Sequence, residues 1–187
     1  MNRLKWGAGD QRGFTLVEIA IVLVIIGLLI GGVLKGQQMI ESAKVKRVVK
    51  QMDELRAAFN TYYDMYGYFP GDDPKASSRG AGADGNGNGL ISGAEVANAF
   101  DNLQWANLIS GDYSTQNYPT HVLGGSMYIG YATAQGKTTH WIYLTYMKRD
   151  VAGMIDTKYD DGAYDTGSIR ASADYSGNGL ITLYVEF

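Results

Sequence analysis

The chain has 187 residues, with 16 Lys and Arg against 19 Asp and Glu, a formal charge of −3 and no cysteine. Disulfides, thiolate metal centres and cysteine nucleophiles are therefore excluded. The acidic balance argues against a protein that tracks nucleic-acid phosphates, so no nucleic-acid partner is expected.

A basic stub (Arg3, Lys5, Arg12) leads to Gly13, and from Phe14 to Leu34 the chain is apolar with Glu18 as its one charged side chain. At 1.5 Å per residue a helix over this run spans roughly 31 Å, about the hydrocarbon thickness of a bilayer. A secretory signal would place a shorter apolar core ahead of its cleavage site; here the run follows the seam at Gly13. The cations of the stub favour a cytoplasmic N-terminus. Lys44, Lys46, Arg47 and Lys50 pull the other way from beyond the span, partly offset by Glu41, Asp53 and Glu54; the first flank carries the most weight. Gly27, Gly31, Gly32 and Gly36 punctuate the run, and glycines spaced by four let helices approach closely in lipid. An ionisable group inside such a run is costly and is usually kept for function.

The hexamer Gly13-Phe14-Thr15-Leu16-Val17-Glu18, with the basic stub before it and the span after it, resembles the class III signal of type IV pilins and type II secretion pseudopilins. The resemblance implies that a prepilin peptidase cuts after Gly13 and methylates the new amine of Phe14. It implies that Glu18 pairs with that amine on a neighbouring subunit, because leaving either charge unpaired in low dielectric costs several kcal/mol. It also implies partners and a location. The chain would sit in membrane lipid as a single pass of the inner membrane, be handled by an inner-membrane assembly platform, and end in a homo- or hetero-polymer of pilin-like subunits in the periplasm or outside the cell.

Beyond the span, Val45, Val48, Met52, Leu55, Phe59, Tyr62 and Tyr66 recur in steps of three and four, one apolar stripe on a helix. Lys46, Arg47, Lys50, Asp53, Glu54 and Arg56 form the solvated face. One helix from Phe14 to Tyr66 is expected, roughly 80 Å long, its stripe packed on the chain's own sheet. It ends at Gly67, and Tyr68-Phe69-Pro70-Gly71-Asp72-Asp73 forms a rigid turn. The stretch Tyr62–Asp73 also resembles pilin-like proteins, and the resemblance returns weakly at Ile155-Asp156 and Asp160-Asp161-Gly162.

Residues 84–95 match the calcium-loop pattern D-x-[DN]-x-[DN]-G-x₅-E at every specified place. Side-chain oxygens of Asp84, Asn86 and Asn88 would face one centre, and Gly89 permits the sharp turn. The carbonyl of Leu90 and the hydroxyl of Ser92 would add neutral ligands, and Glu95 would close the shell with two oxygens. Two bland readings compete: Gly-Asn repeats are ordinary turn material, and Ser92-Gly93-Ala94-Glu95 is a capping box. No helix enters the loop, so the unit is a loop-plus-helix half motif, similar to that of dockerins. With two charged ligands the expected cofactor is Ca²⁺ held with a dissociation constant on the order of 10⁻⁴ M or weaker. A partial echo at Asp174–Thr182 has Val185 in twelfth place and reads as a turn into a strand. Asp156, Asp160, Asp161 and Asp165 read as turn and helix-end residues.

In the distal part a short helix is expected over Val96–Leu108, stopped by Ser110-Gly111, and another over Asp150–Lys158. Strands are expected over Met127–Tyr131, Trp141–Tyr146 and Leu180–Phe187. His121 and His140 are the sole histidines, and no nucleophile–histidine–acid spacing is visible. The expected fold is α+β, a pilin-like lollipop: a long N-terminal helix, membrane-spanning in its first half, packed on a small C-terminal antiparallel sheet of three or four strands. The expected divisions are a leader over 1–13, a membrane helix over 14–35, an amphipathic stem over 36–67 and a head over 68–187. The expected role is a non-enzymatic structural subunit of a type IV pilus-like filament. A pseudopilin that drives protein export shares this chemistry, with the lack of cysteine leaning towards it. A membrane-anchored calcium-binding domain that never polymerises is the alternative from another class.

Overall fold

The computed structural model describes residues 13–113 and 117–187; the leader expected at 1–13 lies, as far as residue 12, outside them. In chain order the elements are α1 (Leu16–Tyr66), a 3₁₀ turn (Ser77–Arg79), α2 (Glu95–Trp105), β1 (Met127–Ala134), β2 (Lys137–Lys148), α3 (Arg149–Tyr159), β3 (Ile169–Ala171) and β4 (Leu180–Glu186). The chain divides into two compact units between Ser42 and Ala43.

The first unit holds the apolar part of α1. Every large apolar side chain from Phe14 to Leu34 is at least 45% exposed. Helix α1 is long and apolar enough to cross a membrane.

The second unit is α+β. Its sheet is antiparallel in the order β1-β2-β4-β3. Strands β1 and β2 join through two residues, Gln135 at φ 46° and Gly136 at φ 79°, the paired left-handed geometry that matches strand twist in a tight hairpin. Alternation sorts the rungs by face. Met127, Leu144, Leu183 and Ala171 lie opposite one another and are buried, as are Ile129, Ile142, Val185 and Ile169. The intervening rung, Tyr128, Tyr143, Tyr184 and Arg170, lies on the other face and is half-buried. The buried rungs share one core with Val45, Val48, Met52, Leu55, Phe59 and Tyr62 of α1. Phe59 meets Phe100 and Phe187 edge-on, at 6.0 and 5.9 Å between ring centres. The stripe therefore packs on the chain's own sheet as its spacing predicts, with Tyr66 half-buried at its end.

Several boundaries differ from expectation. Helix α1 begins at Leu16, not Phe14, because Thr15 caps it. Its C-terminus is as expected: Gly67, at φ 77°, donates its N–H to Tyr63 O at 2.7 Å, a left-handed cap. Helix α2 stops at Trp105, short of the expected Leu108. Asn107 adopts φ 58°, and the N–H groups of Asn107 and Leu108 turn back to Gln104 O and Leu103 O at 2.9 Å each. That is a Schellman closure with Asn in the glycine place, ahead of the Ser110-Gly111 stop. Helix α3 exceeds its expected span by one residue at each end. Strand β3, three residues long, carries no alternation that could have announced it.

Candidate functional site

Two places carry the residues that the sequence singles out. The first is the start of α1. Thr15 N and Thr15 Oγ1 each donate to Glu18 Oε2 at 2.8 Å, and Glu18 N donates to Thr15 Oγ1 at 3.2 Å. This is a reciprocal capping box, legible as T-x-x-E ahead of an apolar run. Glu18 thus closes the helix end next to the Gly13–Phe14 seam, and Phe14 is 83% exposed there. The carboxylate sits in an otherwise apolar helix surface, where a surface polar group is expensive to cover.

The second place is the loop at 84–95, which reaches α2. Here the ligand candidates are partly gathered and partly separated. Both oxygens of Asp84 are taken by Ser77, from its N at 2.7 Å and its Oγ at 2.8 Å. These bonds, the backbone one foremost, hold the Asp84 carboxyl below its ordinary range. Asn86 donates to Glu95 Oε1 from Nδ2 at 2.7 Å and from its backbone N at 3.1 Å. Ser92 N donates to Glu95 Oε2 at 3.0 Å, the glutamate arm of a capping box without its serine arm. Asn88 Oδ1 accepts from Leu90 N at 2.8 Å, an Asx turn. Asn86, Ser92 and Glu95 therefore meet, whereas Asp84 is drawn to Ser77. As a test of the calcium fit, the charged oxygens of Asp84 and Glu95 face N–H and O–H donors, and Asn86 offers its amide nitrogen to Glu95.

A residue outside the motif organises the loop. Asp72 is buried, and its carboxylate accepts from Asn88 N at 3.0 Å and Gly89 N at 2.8 Å. Gly87 N and Gly85 N donate to the carbonyls of Asp72 and Asp73 at 2.8 and 2.9 Å. A Cβ at Gly85 would overlap the Asp72 backbone, which is why a glycine stands there. Asp73, fully buried, accepts from Tyr62 OH at 2.8 Å and from Lys75 N at 2.9 Å, and pairs with Arg79. Arg79 in turn lies over the Tyr66 ring at 4.6 Å. The loop's far end is tied to the sheet: Ile91 N donates to His140 Nε2 at 3.2 Å, and Tyr131 N donates to Ile91 O at 2.7 Å. Burial pushes the His140 imidazole below its usual pKa, and the nearby Asp72 charge opposes the shift.

His121 is also buried. Its Nε2 donates to Thr145 O at 2.8 Å and its Nδ1 accepts from Leu123 N at 3.3 Å, the neutral tautomer fully used; burial lowers its pKa. Neither histidine faces a nucleophile among the described residues.

Two acidic places are turns. Asp156, Asp160 and Asp161 bring carboxylate oxygens within 4.8 Å of one another. Asp156 accepts from Tyr175 OH and Gly162 N, Asp160 from Ser168 N and Ile169 N, and Asp161 from Ala163 N and Thr166 Oγ1. In the echo loop Arg149 Nη1 donates to Asp174 O, Asp174 Oδ1 and Ser176 O at 2.6, 3.0 and 2.9 Å.

A capped helix with apolar side chains exposed all round, followed by an α+β unit, fits a membrane-anchored protein. Residues 9–34 match the family model of the prokaryotic N-terminal methylation motif, the prepilin-type signal of type IV pilins and pseudopilins. The chain matches no curated protein.

Proposed function

We propose that this chain is a structural subunit of a type IV pilus-like filament, cut after Gly13 by a prepilin peptidase and polymerised through α1. The observation that carries the reading is the apolar surface from Phe14 to Leu34, exposed on every side and broken by one acid, Glu18, the fifth residue past the cut. Such a surface is covered by lipid in the monomer or by other helices in a polymer. Cleavage converts the amide of Phe14 into an amine, which a neighbour's Glu18 can pair with in low dielectric. The N-terminus would lie in the cytoplasm, on the evidence of the stub's cations. Mass spectrometry of the native product tests the first step: a chain beginning with methylated Phe14 is expected, and an intact Met1 start overturns the reading.

The lack of cysteine favours a second reading, a pseudopilin that assembles by the same helix and drives protein export. We also propose that residues 84–95 take calcium, supported by the match of all five specified pattern positions. Binding requires Asp84 to leave Ser77 and the Asn86 side chain to turn its oxygen inward. Melting of the chain in calcium and in chelator tests this, and equal melting temperatures remove it.

A further inference from the structure

The pair Asn-Gly occurs at Asn86-Gly87, Asn88-Gly89 and Asn178-Gly179. Such a pair can react with itself: the backbone nitrogen of the glycine attacks the side-chain amide carbon of the asparagine. Asparagine is among the thermolabile residues, and a glycine, having no Cβ, leaves the approach open. All three asparagines are exposed, so access to water does not separate them. Hydrogen bonding does.

In the loop at 84–95 both attacking nitrogens are held. Gly87 N donates to Asp72 O and Gly89 N donates to Asp72 Oδ2, each at 2.8 Å. The side chains are held as well. Asn86 Nδ2 donates to Glu95 Oε1 at 2.7 Å, Asn86 Oδ1 accepts from Asn88 N at 3.0 Å, and Asn88 Oδ1 accepts from Leu90 N at 2.8 Å. Attack at either place must first break these bonds. One at each place is made to a carboxylate and is stronger than a neutral bond.

The third pair is unlike them. Neither Gly179 N nor the Asn178 side chain makes a hydrogen bond among the described residues. The pair lines a cleft of about 320 Å³ together with Lys148 and Arg149. Arg149 Nε is buried there without an acceptor, 3.3 Å from where a Cβ on Gly179 would stand. A cation fixed beside the attacking nitrogen stabilises negative charge as it develops on that nitrogen and on the amide oxygen.

We propose that Asn178 is a site of spontaneous deamidation, and that the hydrogen bonds to Asp72 and Glu95 spare Asn86 and Asn88. Gly179 N bonds to Cγ of Asn178, its proton passes to Nδ2, and the Cγ–Nδ2 bond breaks to release ammonia and close a succinimide. Water then opens the ring. Opening at Cγ gives aspartate on an unaltered backbone. Opening at the Asn178 backbone carbonyl gives isoaspartate, with the chain running through Cβ and Cγ. One water enters and one ammonia leaves, with no oxidation or reduction. Either product adds a negative charge to the cleft of Lys148 and Arg149. Isoaspartate also lengthens the backbone by one atom just ahead of β4. The first rungs of that strand, Leu180 with Lys148 and Ile181 with Met147, lie beyond the bulge at Thr145-Tyr146 where the register of β2 shifts. The chain thus grows more acidic with age at one place, whether or not it polymerises.

The test holds the full chain in detergent for days at mildly alkaline pH. Peptide mapping by a mass spectrometric method that separates aspartate from isoaspartate follows each asparagine. In the folded chain Asn178 should convert several-fold faster than Asn86 and Asn88, and the three rates should converge once denaturant unfolds it. Gly179→Ala puts a Cβ beside the attacking nitrogen and should slow conversion at Asn178 several-fold, leaving the other two as they were. Equal rates at the three sites of the folded chain, faster conversion at Asn86 or Asn88, or an Asn178 that stays intact overturns the proposal. So does a rate at Asn178 that Gly179→Ala leaves unchanged, since the amide would then be hydrolysed directly.

Discussion

Asn86 turns its amide nitrogen, not its oxygen, to Glu95: Nδ2 lies 2.7 Å and the backbone N 3.1 Å from Oε1. The loop is thus wound on N–H donors around two acids, Glu95 and Asp72. Glu95→Ala removes the acceptor of Asn86 and Ser92 together and is expected to cost about 1–2 kcal/mol, the range of a lost cap and a stranded donor. Glu95→Gln keeps one acceptor and is expected to cost less. Only the calcium-dependent rise in melting temperature should vanish with both. Melting of the three chains in calcium and in chelator measures each effect.

Glu18 has a local and an intermolecular role that two variants separate. Glu18→Gln retains a capping box, since glutamine serves at that position as well as glutamate, but it removes the charge. Glu18→Ala removes both. If pairing with the Phe14 amine sets assembly, both variants are processed and inserted yet fail to polymerise, and their filament yields fall together. Normal filaments from Glu18→Gln would show that capping alone matters there.

The two histidines give the head a pH dependence of stated sign. Burial lowers both His121 and His140, so the unfolded chain binds more protons than the folded one as pH falls through the ordinary histidine pKa of about 6.5. Their contribution is fully present above that value and is lost as pH falls towards the lower folded values. Asp84, Asp161 and Asp174, held below the usual carboxyl range by hydrogen bonds from their own turns, lose theirs only below about pH 4. Melting between pH 7.5 and 5 should therefore show a decline that His140→Gln reduces. A flat profile would contradict the burial of His121 and the half-burial of His140.

Phe59 is fully buried between Phe100 and Phe187. Truncation to alanine is expected to remove about 3–5 kcal/mol, much of a small domain's stability. Phe59→Leu should cost less and keep the chain foldable. Denaturant titration of both variants checks the order.

The long helix and its packing face were legible because period and length reinforce each other. Six stripe positions from Val45 to Tyr62 are buried as spaced, and the apolar run beside Glu18 is a strong local pattern. What escaped was set by single residues or by distance along the chain. Asn107 ended α2 through a conformation that asparagine tolerates but does not announce. The bulge at Tyr146 broke an alternation that reads as unbroken strand. Asp72 reaches Gly89 across 17 positions, and no spacing rule links an acid to a loop that far ahead. Thr15 was legible, since T-x-x-E before an apolar run is a start signal, and Glu18 serves in that cap as well as carrying the span's one charge.

Arg149 places a guanidinium nitrogen among three oxygens of the turn that precedes β4. That turn carries a tethered counter-charge of its own. The strand it launches joins β2 to β3, so the sheet's closing member is seated by something the chain can never lose to its surroundings. Chelation of divalent ions is therefore expected to leave the turn into β4 in place.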